Sequence, residues 1–123
     1  MGTVELTEAD FEQTVLASDV VLVDFWAEWC RPCLQFAPVF EASSQAHPDV
    51  LHAKVDTDVE RGLAQAAGIR AIPTLMAFRE GILVFNQAGA LPGASLERVV
   101  AAVQALDMEH VRAQLAAQRS AAG

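Results

Sequence analysis

Residues 24–33 read Asp24-Phe25-Trp26-Ala27-Glu28-Trp29-Cys30-Arg31-Pro32-Cys33, and their reading decides the fold. They complete a run that begins at Val20. From Val20 to Ala27 the chain is rich in Val, Phe and Trp with almost no polar alternation, the pattern of a strand covered on both faces, and Asp24 alone interrupts it. From Arg31 to Ala46 the apolar positions Leu34, Ala37, Val39 and Phe40 suit a helix, which Pro38 should kink and His47-Pro48-Asp49 should end. Cys30 and Cys33 therefore sit where a buried strand turns into a helix. Unpaired backbone N–H groups and the positive end of the helix dipole favour thiolate over thiol there, so Cys30 is the expected nucleophile. Cys33, one turn inside, is expected to be more buried, with a higher pKa, and to resolve a mixed disulfide formed at Cys30.

Outward from this junction, strands and helices alternate. Thr3 to Leu6 can form a short strand, and Thr7 with Asp10 resembles a capping box opening a helix through about Ala17. Leu51, Ala53 and Val55 alternate with His52, Lys54 and Asp56 as a strand, and Glu60 to Ala67 reads as a short helix closed by Gly68. Thr74 to Phe78 and Ile82 to Ala88 make a hairpin around Arg79-Glu80-Gly81. Ser95 is the expected cap of a last helix with the stripe Leu96, Val99, Val100, Val103 and Leu106. The order implies an α/β fold whose sheet is covered on both sides. Beyond Leu106, Asp107 could cap a further helix carrying Met108, Val111 and Leu115, but the Ala/Gln-rich composition favours a prolonged or fraying end of the preceding helix.

Composition excludes several function classes. The chain has 123 residues, 53% hydrophobic and 20% charged, which suits one folded domain and not a disordered segment. Eight Lys and Arg against sixteen Asp and Glu leave a formal charge of -8, which argues against nucleic acid as a partner and reads as a solvated, solubilising surface. The aliphatic runs are strand-sized, far short of the roughly 20 residues that cross a bilayer, so no membrane role is expected. The opening MGTVELTEAD has no basic or apolar signal segment, so the expected address is the cytoplasm. A bridge between Cys30 and Cys33 would close too small a loop to brace a fold, so the pair is expected to serve chemistry. Zinc is the rival use. It wants about four ligands, and only His47, His52 and His110 remain, none at paired spacing; each is expected as an ordinary surface or loop residue, and no metal site is expected.

A C-x-x-C beside a β-α-β pattern is a known redox signature, and here it does not stand alone. DFWAEWCRPC at 24–33, KVD at 54–56, GIRAIPTL at 68–75 and FREG at 78–81 together resemble the thioredoxin family over roughly residues 3–106. The resemblance implies a thioredoxin fold, a central mixed five-stranded sheet flanked by four helices. It divides the chain into a domain at 1–106 and a helical extension or tail at 107–123. It implies protein-disulfide reduction by dithiol/disulfide exchange, with no bound cofactor beyond the reversible Cys30–Cys33 disulfide. Electrons would come indirectly from NADPH through a thioredoxin reductase, the partners being that reductase and disulfide-containing proteins, and the expected state is a monomer. Asp24, buried among apolar neighbours with a raised pKa, would take the proton of Cys33 through water, with Lys54 beside it. Sequence alone suggests an ordinary trans proline at Pro73, since only about 5–6% of X-Pro bonds are cis. The resemblance implies a cis Ile72-Pro73 bond opposite the active-site turn, where the backbone of residue 72 pairs with a substrate chain. Trp29, Arg31, Pro32, Ile72, Pro73, Gly89 and Ala90 would make the substrate rim. Trp26 is expected beneath the site, and core packing remains an open alternative for Trp29.

Two positions depart from the family's common WCGPC motif: Arg31 replaces Gly, and Leu34 stands where Lys is frequent. Two other functions remain in view, an oxidant or isomerase and an interaction module whose thiols are incidental; the lack of an export signal opposes the former, and joint retention of Cys30, Cys33, Asp24, Lys54 and Pro73 opposes the latter. Arg31 either tunes Cys30 or points to solvent and meets acidic partners. At about 6 Å, Coulomb's law gives ~0.7 kcal/mol in water and about 3 kcal/mol at an effective dielectric of 20, and an exposed loop belongs near the lower value. Since ~1.4 kcal/mol corresponds to about 30 mV for this couple, the potential should lie some 15 to 30 mV above that of Arg31→Gly. Equality of the two potentials within a few millivolts, measured against a glutathione buffer, would show that Arg31 does not tune the couple.

Overall fold

The structure is a computed structural model and describes residues 2–122; Met1 and Gly123, the outer ends of the two expected units, lie outside the described residues. At its centre is β2 (Val20–Trp26), which is parallel to β3 (Leu51–Asp56) on one side and antiparallel to β4 (Thr74–Arg79) on the other. β1 (Val4–Glu5) adds in parallel outside β3, and β5 (Ile82–Ala88) adds antiparallel outside β4. The sheet order is β1-β3-β2-β4-β5, the mixed five-stranded sheet that was expected.

Burial on both faces explains why β2 lacks polar alternation. Val20 and Leu22 pack with Phe36, Phe40, Leu96, Val100 and Val103 of α2 (Arg31–Ala46) and α4 (Gly93–Gln104). Val21, Val23 and Phe25 pack on the opposite face with Val15, Phe11 and Leu63 of α1 (Phe11–Ala17) and α3 (Arg61–Ala66). The side chains of Phe25, Phe36 and Phe40 are fully enclosed, and each such burial contributes about 1.5–3 kcal/mol.

Several boundaries differ from the sequence expectation. The first strand shrinks to Val4–Glu5, paired with Ala53 and Lys54 of β3, and Leu6 beyond it still donates its N–H to Lys54 O. Asp10 Oδ1 accepts the Thr7 N–H at 2.7 Å, as in a capping box, but the next residues form a turn and α1 begins only at Phe11. α2 has the expected bounds, Arg31–Ala46, with Pro38 inside it. α3 ends in a Schellman arrangement: Gly68 at φ 72° donates to Gln65 O, and Ile69 donates to Ala64 O. Ser95 is not a cap; Pro92 holds the N-cap in extended backbone and Ser95 lies inside α4, its hydroxyl accepting from Arg98. Leu106 lies past the end of that helix. Residues 105–107 break the chain direction, and a separate α5 (Met108–Ala122) follows, capped by Asp107 Oδ1 at the N–H groups of Glu109 and His110. The favoured expectation of a prolonged or fraying α4 is thereby corrected. Arg79 closes the junction, its guanidinium donating to the carbonyls of Val103, Gln104 and Leu106 and to Asp19.

His52 corrects another expectation. It is not a surface or loop residue: it is buried on β3, its ring nitrogens 2.8 Å from Ser43 Oγ and 2.9 Å from Val50 O, and its ring 5.0 Å from that of Phe40. Burial pushes its pKa below the ordinary value, so the neutral ring is favoured. His47, at the end of α2, meets Glu97 at 2.8 Å, and His110 is exposed on α5.

The β4–β5 hairpin narrows to a two-residue turn in which Glu80 and Gly81 both have positive φ, 51° and 79°. That handedness matches the twist of the paired strands. A Cβ on Gly81 would also sit 2.9 Å from Leu16 Cδ2. Gly81→Ala should therefore cost about 1 kcal/mol or more in urea denaturation, whereas Gly93→Ala, where a Cβ meets nothing within 4 Å, should stay within about 0.5 kcal/mol.

Candidate active site

The carboxyl end of β2 delivers the chain through Ala27, Glu28 and Trp29 to Cys30, which is the N-cap of α2. Cys30 and Cys33 are joined as a disulfide with their Cα atoms 5.2 Å apart. The Cys33 N–H donates to Cys30 Sγ at 3.2 Å, so the first sulfur takes up one of the otherwise unpaired donors of the helix start. Arg31 and Pro32 occupy the first two helical positions and are exposed. Pro32 has no N–H to leave unpaired, which suits that position. Both sulfurs are enclosed, Cys30 4% and Cys33 1% exposed, and they pack with Ala27, Trp26 and Ile72.

From the opposite side, the Ile72-Pro73 bond is cis and the Ile72 carbonyl oxygen lies 3.7 Å from Cys30 Sγ. In the disulfide no sulfur-bound hydrogen spans that gap; in the dithiol the Cys30 thiol can donate across it. Gly89, at φ 104°, ends β5 and donates its N–H to Pro73 O at 2.8 Å, which ties that strand to the proline loop. A Cβ at Gly89 would meet nothing within 4 Å, so its glycine is explained by the backbone angle, not by crowding. Ala90 follows it and is exposed, as is Arg31.

Trp29 is 70% exposed, which removes core packing as its role. Its indole N–H donates to Asp58 Oδ2 at 2.9 Å. Sequence reading missed Asp58; the signal was the Asp56-Thr57-Asp58 turn after β3, in which Asp56 Oδ1 accepts the Asp58 N–H. Trp26 packs beneath the sulfurs, as expected, and Lys54 Nζ lies 4.5 Å from the centre of its ring.

Asp24 precedes Trp26 by two residues on the same face of β2 and is paired in register with Lys54. It is fully buried, and neither carboxylate oxygen has a hydrogen-bond partner among the described residues. Burial raises its pKa from 3.8 to about 7, and the nearby Lys54 charge offsets only part of that rise. A carboxyl group that is half-protonated near neutral pH thus lies on the face of β2 that also carries Trp26, the residue that packs against the disulfide.

The family model for thioredoxin matches residues 2–102. The chain belongs to the thioredoxin family. It is 53% identical over 122 residues to a Streptomyces coelicolor protein that carries a provisional thioredoxin 2 name, a match covering 99% of this chain and 91% of that one. It is 47% identical over 93 residues to thioredoxin 1 of Synechococcus elongatus, covering 74% of this chain and 87% of the relative. Among solved structures, a mutant thioredoxin from Halobacterium salinarum superposes with a TM-score of 0.77 at 31% identity, covering 85% of this chain and 92% of that one. Thioredoxins are thiol-disulfide oxidoreductases, and this one is a disulfide reductase working by dithiol exchange through its CXXC pair.

The Asp24 pKa sets a pH dependence. Between about pH 4 and 7 the folded state holds a proton that the unfolded chain has released, so the contribution of Asp24 to stability falls as pH rises through that window. The shift corresponds to about 4 kcal/mol. Asp24→Asn should gain on the parent protein by about that amount between pH ~4 and ~8 in guanidinium unfolding of the oxidised form. A gap that does not change with pH would remove the buried carboxyl from this account.

Proposed function

We propose that the chain reduces disulfides of other proteins, with Cys30 as the attacking thiolate and Cys33 as the resolving thiol. The observation that carries the assignment is the position of Cys30 as N-cap of α2, its sulfur accepting the Cys33 N–H while Cys33 is enclosed one turn further in. The Cys30 thiolate attacks one sulfur of the substrate disulfide, forming a mixed disulfide and releasing the other substrate sulfur as a thiolate. Cys33 then loses its proton and attacks Cys30 Sγ; the Cys30–Cys33 disulfide forms, and the second substrate thiolate leaves. Two electrons pass to the substrate, whose thiolates take up protons.

Asp24 in its carboxylate form accepts the Cys33 proton, and Lys54 keeps enough of it ionised for this near neutral pH; the raised pKa and the register pairing support both roles. Trp29, Arg31, Pro32, Ile72, Pro73, Gly89 and Ala90 form the rim on which the substrate chain lies, with the Ile72 backbone as its pairing partner. The reductive half comes from NADPH through a thioredoxin reductase. Residues 1–106 constitute the catalytic domain and 107–123 an extension. The protein acts as a monomer in the cytoplasm, with no bound cofactor; no described helix is long and apolar enough to cross a membrane.

Insulin reduction coupled to NADPH and a thioredoxin reductase tests the reading. Cys30→Ser should abolish turnover. Cys33→Ser should also stop turnover but accumulate a covalent mixed disulfide with a disulfide substrate, visible by non-reducing electrophoresis. Trapping by Cys30→Ser and not by Cys33→Ser would reverse the two roles.

A further inference from the structure

Six large hydrophobic side chains stand exposed among the described residues, and they are not spread evenly. Val4, Leu16 and Leu83 are scattered over β1, α1 and β5. Trp29, Leu34 and Val59 gather at the end of the sheet that carries the disulfide. Trp29 directly precedes Cys30, and Val59 follows Asp58, whose carboxylate accepts the Trp29 indole N–H. Leu34 lies one turn into α2, its N–H donating to the Cys30 carbonyl at 3.1 Å.

The helix start brings Trp29 and Leu34 to one neighbourhood. Cys30 is the N-cap of α2, so Trp29 is the residue before the cap and Leu34 the fourth helical residue. Apolar residues at these two positions commonly meet across a helix start, and a helical leucine leans back over the preceding turn. Both nevertheless remain open to water, Trp29 70% and Leu34 54% exposed, with the enclosed Cys30 between them in the chain. Single exposed hydrophobic residues need no explanation, whereas an apolar patch beside a reactive group marks a contact surface. Leu34 also stands where Lys is frequent in the family, so a strongly hydrated ammonium has given way to a side chain with nothing to gain from water.

We propose that Leu34 is a specificity-determining residue: with Trp29 it takes up a large apolar side chain, Leu, Met or Phe, that neighbours the reacting cysteine of the substrate. The inference rests on the reductase reading. The occupant follows from the chemistry, because exchange needs a substrate sulfur in contact with Cys30 Sγ. A sulfur as enclosed as this one is reached only when the substrate surface closes over the side chains around it. Water leaves Leu34 and Trp29 at that moment, and the gain is larger when the group that covers them is apolar. Leu34 keeps about half of its surface in water, so an apolar cover in place of a polar one is worth a factor of about five. Exposed charges of both signs, Glu28 and Arg31, border the patch, which gives the contact an apolar centre and a polar rim.

Two peptides of one sequence, each holding a single disulfide whose cysteines are flanked by Leu or by Gln, test this against the dithiol form of the full chain with no reductase present. The Leu peptide should be reduced with a second-order rate constant about fivefold above that of the Gln peptide. The preference should persist in ~0.5 M salt, which screens charges and leaves apolar contacts in place. In Leu34→Gln the Leu peptide should lose most of its advantage while the Gln peptide stays within about twofold of the parent rate. Leu34→Met, which keeps the apolar area, should retain the preference. Leu16→Gln removes a leucine that is 63% exposed beside the β4–β5 turn and should change neither rate. A Leu/Gln ratio near one in the parent protein, one that Leu34→Gln leaves unchanged, or one that is lost equally in Leu34→Met overturns the inference while leaving the reductase intact. Reduction of neither peptide by the parent protein overturns the reductase reading and the inference with it.

Discussion

Burial of β2 on both faces is the constraint from which the rest follows. A strand with helices packed on each side has little freedom to shift register, because one residue of slip would exchange its two hydrophobic sets and carry Asp24 to the other face. The carboxyl end of that strand is therefore a rigid platform. What leaves it is a short turn leading straight into α2, so Cys30 arrives at a helix start whose backbone donors are still unpaired. The opposing wall is built the same way: β4 is antiparallel to β2, so the beginning of β4, with Ile72-Pro73 just before it, lies level with the end of β2. Redox pair and proline loop meet because the two strands run in opposite directions.

The same burial that makes the platform rigid has a cost. Asp24 lies inside it with both oxygens unpartnered, and Lys54, its neighbour in register, spends its charge partly on the ring of Trp26. A carboxylate in such a place destabilises the fold whenever it is ionised. His52 offers the contrast on the same face of the sheet. It too is buried and titratable, but both its nitrogens have partners in Ser43 and Val50, and it faces Phe40 within the helix-packed core. Satisfied polar groups of this kind are ordinary core components.

How legible the molecule was from its residues differs by element. β2, α2, β3 and β5 were readable almost to the residue, because continuous or alternating apolar patterns report burial directly. The start of α4 was misread, since Ser95 advertises a cap that the extended backbone of Pro92 supplies instead. His52 was read as an ordinary surface or loop residue because alternation in β3 places it opposite Ala53 and Val55; in a sheet covered on both sides, that opposite face is also interior. The separate α5 was underestimated because Ala and Gln give no contrast between a continuing helix and a new one, and the break depends on Asp107 and on Arg79 reaching in from β4.

By itself the sequence determined the chemistry available: two cysteines one helical turn apart, a strand that must be buried, a carboxyl group within it, and a family of proteins to which all of these belong. Short-range patterns carry that much because they depend on neighbours in the chain. Only the tertiary structure decided which distant residues stand around the sulfurs. Ile72 comes to Cys30 across 42 positions of sequence and Asp58 to Trp29 across 29, and no local pattern encodes such meetings. They are set by strand order and helix packing, which fix the directions in which the loops at the end of the sheet converge.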